Sequence, residues 1–149
     1  MSKVHVEIEI EAPAQRVWET VMDPHRLKDW VTIHRSLKHV SAHPLAKGST
    51  MDQVLQIRGV SFRVHWTLIE VSAPHNAEWE GRGPARSHAG IRYELSGPES
   101  GPTAFRYTNE FGAPGGRLGS AASQMIVGNT SEREAHNSLQ RLKALVERR

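Results

Sequence analysis

From Val4 to Glu11 apolar and polar side chains alternate without a break, the period-two pattern of a strand with one buried face. Ala12-Pro13 ends that strand. Val17, Trp18 and Val21 then recur at helical spacing behind Pro13, a residue tolerated at a helix start. Asp23-Pro24 opens a second, short helix through Leu27 and Trp30. Strands are expected over Leu37 to Ser41 and Met51 to Ile57, with Pro44 and Gly48 as breaks between them.

The strongest hairpin signal lies at Arg58-Gly59-Val60-Ser61. Folding there pairs Ile57 with Phe62, Leu55 with Val64, Gln53 with Trp66 and Met51 with Leu68. Those eight share one face, while Asp52, Gln56, Arg58, Arg63, His65 and Thr67 share the other. A second hairpin folds at Gly97 to Pro102 and pairs Leu95 with Thr103, Tyr93 with Phe105, Ile91 with Tyr107 and Ala89 with Asn109. Between them, Ala77 to Gly81 alternates with Trp79 inward.

After Gly112-Ala113-Pro114-Gly115-Gly116 breaks the sheet, a helical segment runs to the end. Its stripe comprises Leu118, Ala122, Met125, Asn129, Glu132, Ala135 or His136, Leu139, Leu142 and Val146. The stripe is apolar at its ends and polar in the middle, which is unusual over a dry core. The pattern predicts one α+β domain over residues 1–149: strand, two short helices, six to seven antiparallel strands in all, and a long terminal helix over the apolar face.

Composition narrows the function classes. With no cysteine, disulfides, thiolate metal sites and cysteine nucleophiles are excluded. The net charge of +3 arises from 19 Lys and Arg against 16 Asp and Glu, scattered along the chain, so no nucleic-acid partner is expected. The basic residues Arg141, Lys143, Arg148 and Arg149 read as a solvated helix end. Neither a signal peptide nor a membrane-inserting segment is expected, and the location predicted is cytoplasmic. His34, His39 and His43 cluster in sequence but differ in parity and lack a carboxylate motif, so neither a metal nor another cofactor is predicted.

The element order resembles the START-like superfamily, also called SRPBCC, and within it the polyketide cyclase/dehydrase-like group. Three segments carry the resemblance: Val6 through Trp18, Asp23 through Trp30, and Tyr107-Thr-Asn-Glu-Phe111 ahead of Pro114-Gly-Gly116. The closing run Ser138 to Lys143 is similar as well. The resemblance implies a helix-grip fold: a curved sheet gripping the terminal helix, with a tunnel for an apolar ligand between them.

The sequence supplies the inventory of that tunnel. Met51, Leu55, Trp66, Leu68, Trp79, Ile91, Tyr93, Phe105 and Tyr107 fall on the inward face, as do the polar Gln53 and Asn109. Met125 and Asn129 face it from the helix. For each aromatic, simple core filling is the alternative. Glu132 and His136, four residues apart, are the candidate catalytic pair: a general base and its orienting partner, with Tyr93 or Tyr107 hydrogen-bonding an enolate. The alternative for this patch is a helix whose middle turns toward solvent beside Gly128.

The expectation is a monomer or homodimer that binds a small hydrophobic molecule such as a lipid, quinone or aromatic polyketide. A polyketide cyclase, aromatase or dehydratase activity is the second reading, and a chaperone-activator-like protein-binding module the third.

Overall fold

A computed structural model describes residues 2–41, 45–57, 59–112 and 129–148, with side chains from residue 132 onward in the last segment. Strand β1 spans Ser2–Ile10 and is followed by helix α1, Ala14–Val21, whose buried side is Ala14, Val17, Trp18 and Val21. A 3-10 turn at Pro24–Arg26 begins where the Asp23 carboxylate accepts from the His25 amide at 3.0 Å, satisfying an orphan donor of the turn. It runs into the one-turn helix α2, Leu27–Trp30.

Six further strands follow: β2 His34–Lys38, β3 Thr50–Ile57, β4 Val60–Ser72, β5 Asn76–Arg82, β6 His88–Ser96 and β7 Thr103–Gly112. The terminal helix α3 is described over Asn129–Arg148. All strand pairs are antiparallel, in the order β1-β7-β6-β5-β4-β3-β2. This is the α+β helix-grip arrangement that the polarity pattern and the resemblance predict.

The hairpin registers differ from expectation by two residues each. In β3–β4 the observed partners are Ile57 with Val60, Leu55 with Phe62, Gln53 with Val64 and Met51 with Trp66. Gly59, at φ +81°, lets the chain reverse between Ile57 and Val60, a tighter turn than the polarity pattern alone demands. In β6–β7 the partners are Leu95 with Phe105, Tyr93 with Tyr107, Ile91 with Asn109 and Ala89 with Phe111. Here the loop holds Gly97 and Gly101 at positive φ, and a side chain at Gly101 would meet the Ala12 carbonyl at 2.7 Å. Each slip is of even length, so every side chain stays on its expected face. The second strand also shifts, to His34–Lys38 from the expected Leu37 to Ser41.

The core fills the concave side. Trp66, Leu68 and Phe105 rise from the sheet to meet Trp30 of α2 and Leu139, Leu142 and Val146 of α3. The C-terminal half of α3 is fastened to β1: Lys143 Nζ donates to the Glu9 carbonyl at 2.8 Å, and Glu147 Oε2 accepts from the Glu11 amide at 2.7 Å. That amide and Lys143 hold the Glu147 carboxyl below its ordinary pKa, the lysine contributing most. Nearer its start, α3 is held at Thr32, whose hydroxyl donates to Glu134 Oε1 at 2.5 Å and whose amide donates to Ser138 Oγ at 3.0 Å.

Candidate functional site

Residues of the sheet, of α2 and of α3 together line a hollow of about 60 Å³. That is room for a few waters, at roughly 10–15 Å³ for each. A single aromatic ring needs on the order of 150 Å³, so seating one requires side chains to move.

Nine residues expected at the site line this hollow. Met51, Gln53 and Leu55 come from β3, Trp66 from β4 and Trp79 from β5. Ile91 and Tyr93 come from β6, and Tyr107 and Asn109 from β7. Their common origin is parity: within each strand they fall on the same side of the pleat alternation, so one face of the sheet collects them all.

Leu68 and Phe105 share that face but lie off the hollow, fully buried in the packed core. Met125 lies outside the described residues, and of Asn129 only the helical backbone is described.

The helix face differs from expectation. Glu132 and His136 are exposed, while Ala135, Ser138, Leu139, Leu142 and Val146 are buried. At about 100° per residue those five fill an arc that leaves Glu132 and His136 on its solvent border and puts Glu134 on the other. The helix therefore presents Glu134 and Ser138 to the hollow. The even spacing of polar residues in the middle of the stripe concealed this, because Glu132 and Glu134 fit an apolar arc of unknown centre equally well.

The roof was also missed. Leu27, Trp30, Val31 and Ile33, from α2 and the turn after it, line the hollow. Trp30 was legible as an aromatic at the end of a short helix, but only the fold shows that α2 lies over the sheet. It packs edge-on against Phe105 at a centroid separation of 6.4 Å and tilted against Tyr93 at 6.1 Å.

The polar groups form one relay and one pair. The Trp66 indole N–H donates to Gln53 Oε1 at 2.9 Å. An indole nitrogen only donates, so the Gln53 oxygen is its acceptor and Gln53 Nε2 donates to His34 Nδ1, also 2.9 Å away. The neutral His34 ring thus carries its proton on Nε2. Burial lowers the pKa of His34, which favours that neutral form. On β7, Asn109 Nδ2 donates to the Tyr107 hydroxyl at 3.1 Å.

Burial, joined for Tyr93 by the neighbouring Tyr107, raises both phenol pKa values. Both phenols are therefore protonated at neutral pH and available as donors. Two buried polar atoms lack a partner among the described residues, and both belong to residues that line the hollow: Trp30 Nε1 and Asn109 Oδ1.

Other charged groups lie elsewhere. Asp52, on the opposite sheet face, accepts from His65 Nδ1 at 2.6 Å and His39 Nδ1 at 2.9 Å, which lowers its pKa. Among the described residues no group of three or more acidic or histidine side chains is arranged to hold a metal, and no helix is long and apolar enough to cross a membrane. His43 lies outside the described residues.

Known proteins share this architecture. The structure of Zhui aromatase/cyclase from Streptomyces sp. R1128 matches with a TM-score of 0.78 at 17% identity, covering 99% of this chain and 94% of that one. A conserved protein from Geobacillus kaustophilus matches with a TM-score of 0.74 at 16% identity, covering 99% and 96%. At such identities the likeness speaks for the fold alone.

In sequence, the uncharacterized protein Rv1546 of Mycobacterium tuberculosis H37Rv is 25% identical over 134 residues, 89% of this chain and 93% of that protein. Toxin Rv0910 of the same strain is 25% identical over 83 residues, 56% of this chain. The latter match spans 58% of the toxin's own length, little more than half. A family profile described as polyketide cyclase / dehydrase and lipid transport matches residues 1–147, nearly the full length. The chain belongs to this polyketide cyclase/dehydrase and lipid transport family.

Proposed function

We propose that this protein binds a small, largely apolar molecule with a hydrogen-bonding group, held between the concave sheet face and helix α3. One observation carries the reading: among the described residues, two that line the aromatic and aliphatic hollow each hold a buried polar atom without a partner, the donor Trp30 Nε1 and the acceptor Asn109 Oδ1. Leaving such groups unpaired costs about 1–3 kcal/mol each, a cost that an occupant able to meet them removes. Family membership supports the same reading, since lipid transport and polyketide processing both require enclosure of an apolar molecule.

The test fills the hollow. Ile91→Trp places a larger ring among the lining residues, and binding of hydrophobic ring compounds, followed by calorimetry, is expected to disappear while circular dichroism keeps the native signature. Unchanged binding in that variant would move the site elsewhere.

A catalytic reading has one observation in its favour. The Glu134 carboxylate lines the hollow that Tyr93 and Tyr107 also line as protonated phenols. A carboxylate base and phenolic donors are the groups needed to enolise a carbonyl substrate. Turnover of a linear poly-β-ketone is then expected to fall in Glu134→Gln and to persist in Glu132→Gln; the reverse pattern would reject the assignment. The protein-binding reading finds no support on the outer face: the exposed large apolar side chain among the described residues, Val60, has the parity of Phe62 and Val64 and so belongs to the inward side of β4.

A further inference from the structure

We infer that the molecule held in the hollow is uncharged and carries a hydroxyl group, so that alcohols, phenols or enols are selected over carboxylates. The inference rests on the reading of the hollow as a ligand site and adds the chemical class of the ligand.

The first argument is the polarity of the two unpaired atoms. An indole N–H can only donate, so Trp30 Nε1 requires an acceptor. Asn109 Nδ2 is committed to the Tyr107 hydroxyl, which leaves Oδ1 as an acceptor in need of a donor. A hydroxyl is the smallest group that can both accept and donate, and so is suited to either atom. A ketone or quinone oxygen accepts from Trp30 and leaves Asn109 unmet, an ammonium does the reverse, and a hydrocarbon meets neither.

The second argument is charge. Among the described lining residues there is no lysine or arginine, and Glu134 is the carboxylate at the rim. The phenols of Tyr93 and Tyr107 are neutral, and His34, behind Gln53, is kept neutral by burial. A carboxylate in this hollow would be desolvated with no cation to offset it and would sit beside Glu134, the costliest kind of burial. The aromatic wall of Trp30, Tyr93 and Tyr107 suits a flat apolar body on that hydroxyl.

Three probes of one size separate these possibilities: p-cresol, toluene and p-toluate, titrated at pH 7.5 with quenching of tryptophan emission as the signal. Trp30, Trp66 and Trp79 all line the hollow and report its occupation. p-Cresol is expected to bind about 10-fold more tightly than toluene, and p-toluate more weakly than either. Asn109→Leu and Trp30→Phe are each expected to bring the ratio of p-cresol to toluene affinity down toward one.

If none of the three binds, the ligand reading of the hollow fails. If toluene equals p-cresol, or p-toluate exceeds it, in the unmodified protein, the hydroxyl inference alone is overturned and the apolar site stands. The ranking in the unmodified protein decides this even where a variant does not fold.

Discussion

Gln53 shows how much a single side chain can hold in place. Its amide bridges Trp66 and His34, and it is buried on a face otherwise made of Met51, Leu55 and Ile57. Gln53→Leu leaves the Trp66 indole N–H unpaired in the interior and is expected to cost about 1–3 kcal/mol in urea denaturation, despite the added apolar surface.

His34 makes the relay sensitive to acid. Because burial lowers its pKa from 6.5, the unfolded chain binds the proton more readily than the folded one. Its contribution to stability is complete above pH 6.5 and declines as the pH falls through 6.5 toward the lower folded value. Protonated Nδ1 also becomes a donor facing the Gln53 amide, so the relay opens. The stability difference between the unmodified protein and His34→Asn is expected to shrink between pH 7.5 and pH 5; a difference independent of pH would remove His34 from this role. The role of Gln53 was legible in the sequence as a polar residue at an inward parity. That of His34 was not, since nothing in a strand pattern says which edge residue turns toward a buried amide.

At the level of elements, strand parity was almost fully readable and helix rotation was not. A strand has two faces, so an error of two residues in register leaves the sorting of side chains intact, as both hairpins demonstrate. A helix surface is continuous, and a rotation of some tens of degrees exchanges Glu132 for Glu134. The arc now fixed by Leu139 and Leu142 predicts that Leu139→Ala, at a fully buried site, costs about 2–5 kcal/mol in chemical denaturation. His136→Ala is expected to stay within about 0.5 kcal/mol.

Close packing between neighbouring strands makes a second demand. Gly81 faces Trp66 across β4–β5, and a Cβ there would stand 2.6 Å from Trp66 Cζ3 and 2.7 Å from Val64 Cγ1. Gly81→Ala is therefore expected to push Trp66 toward the hollow and destabilise the protein by about 1–3 kcal/mol, visible as a lower Tm and an altered tryptophan emission.

In the whole molecule, β1 and β2 are the edge strands of the sheet among the described residues, at opposite ends of its strand order. Helix α3 reaches both: it is bonded to the end of β1 through Lys143 and Glu147, and to the turn ahead of β2 through Thr32. It follows every strand in the chain. During synthesis, then, all seven strands leave the ribosome before the piece that spans them. For that interval Trp66, Leu68 and Phe105 lack the cover of Leu139, Leu142 and Val146 and have only the short α2 above them, so a nascent chain halted at this stage presents a sticky apolar trough to the chaperones around it.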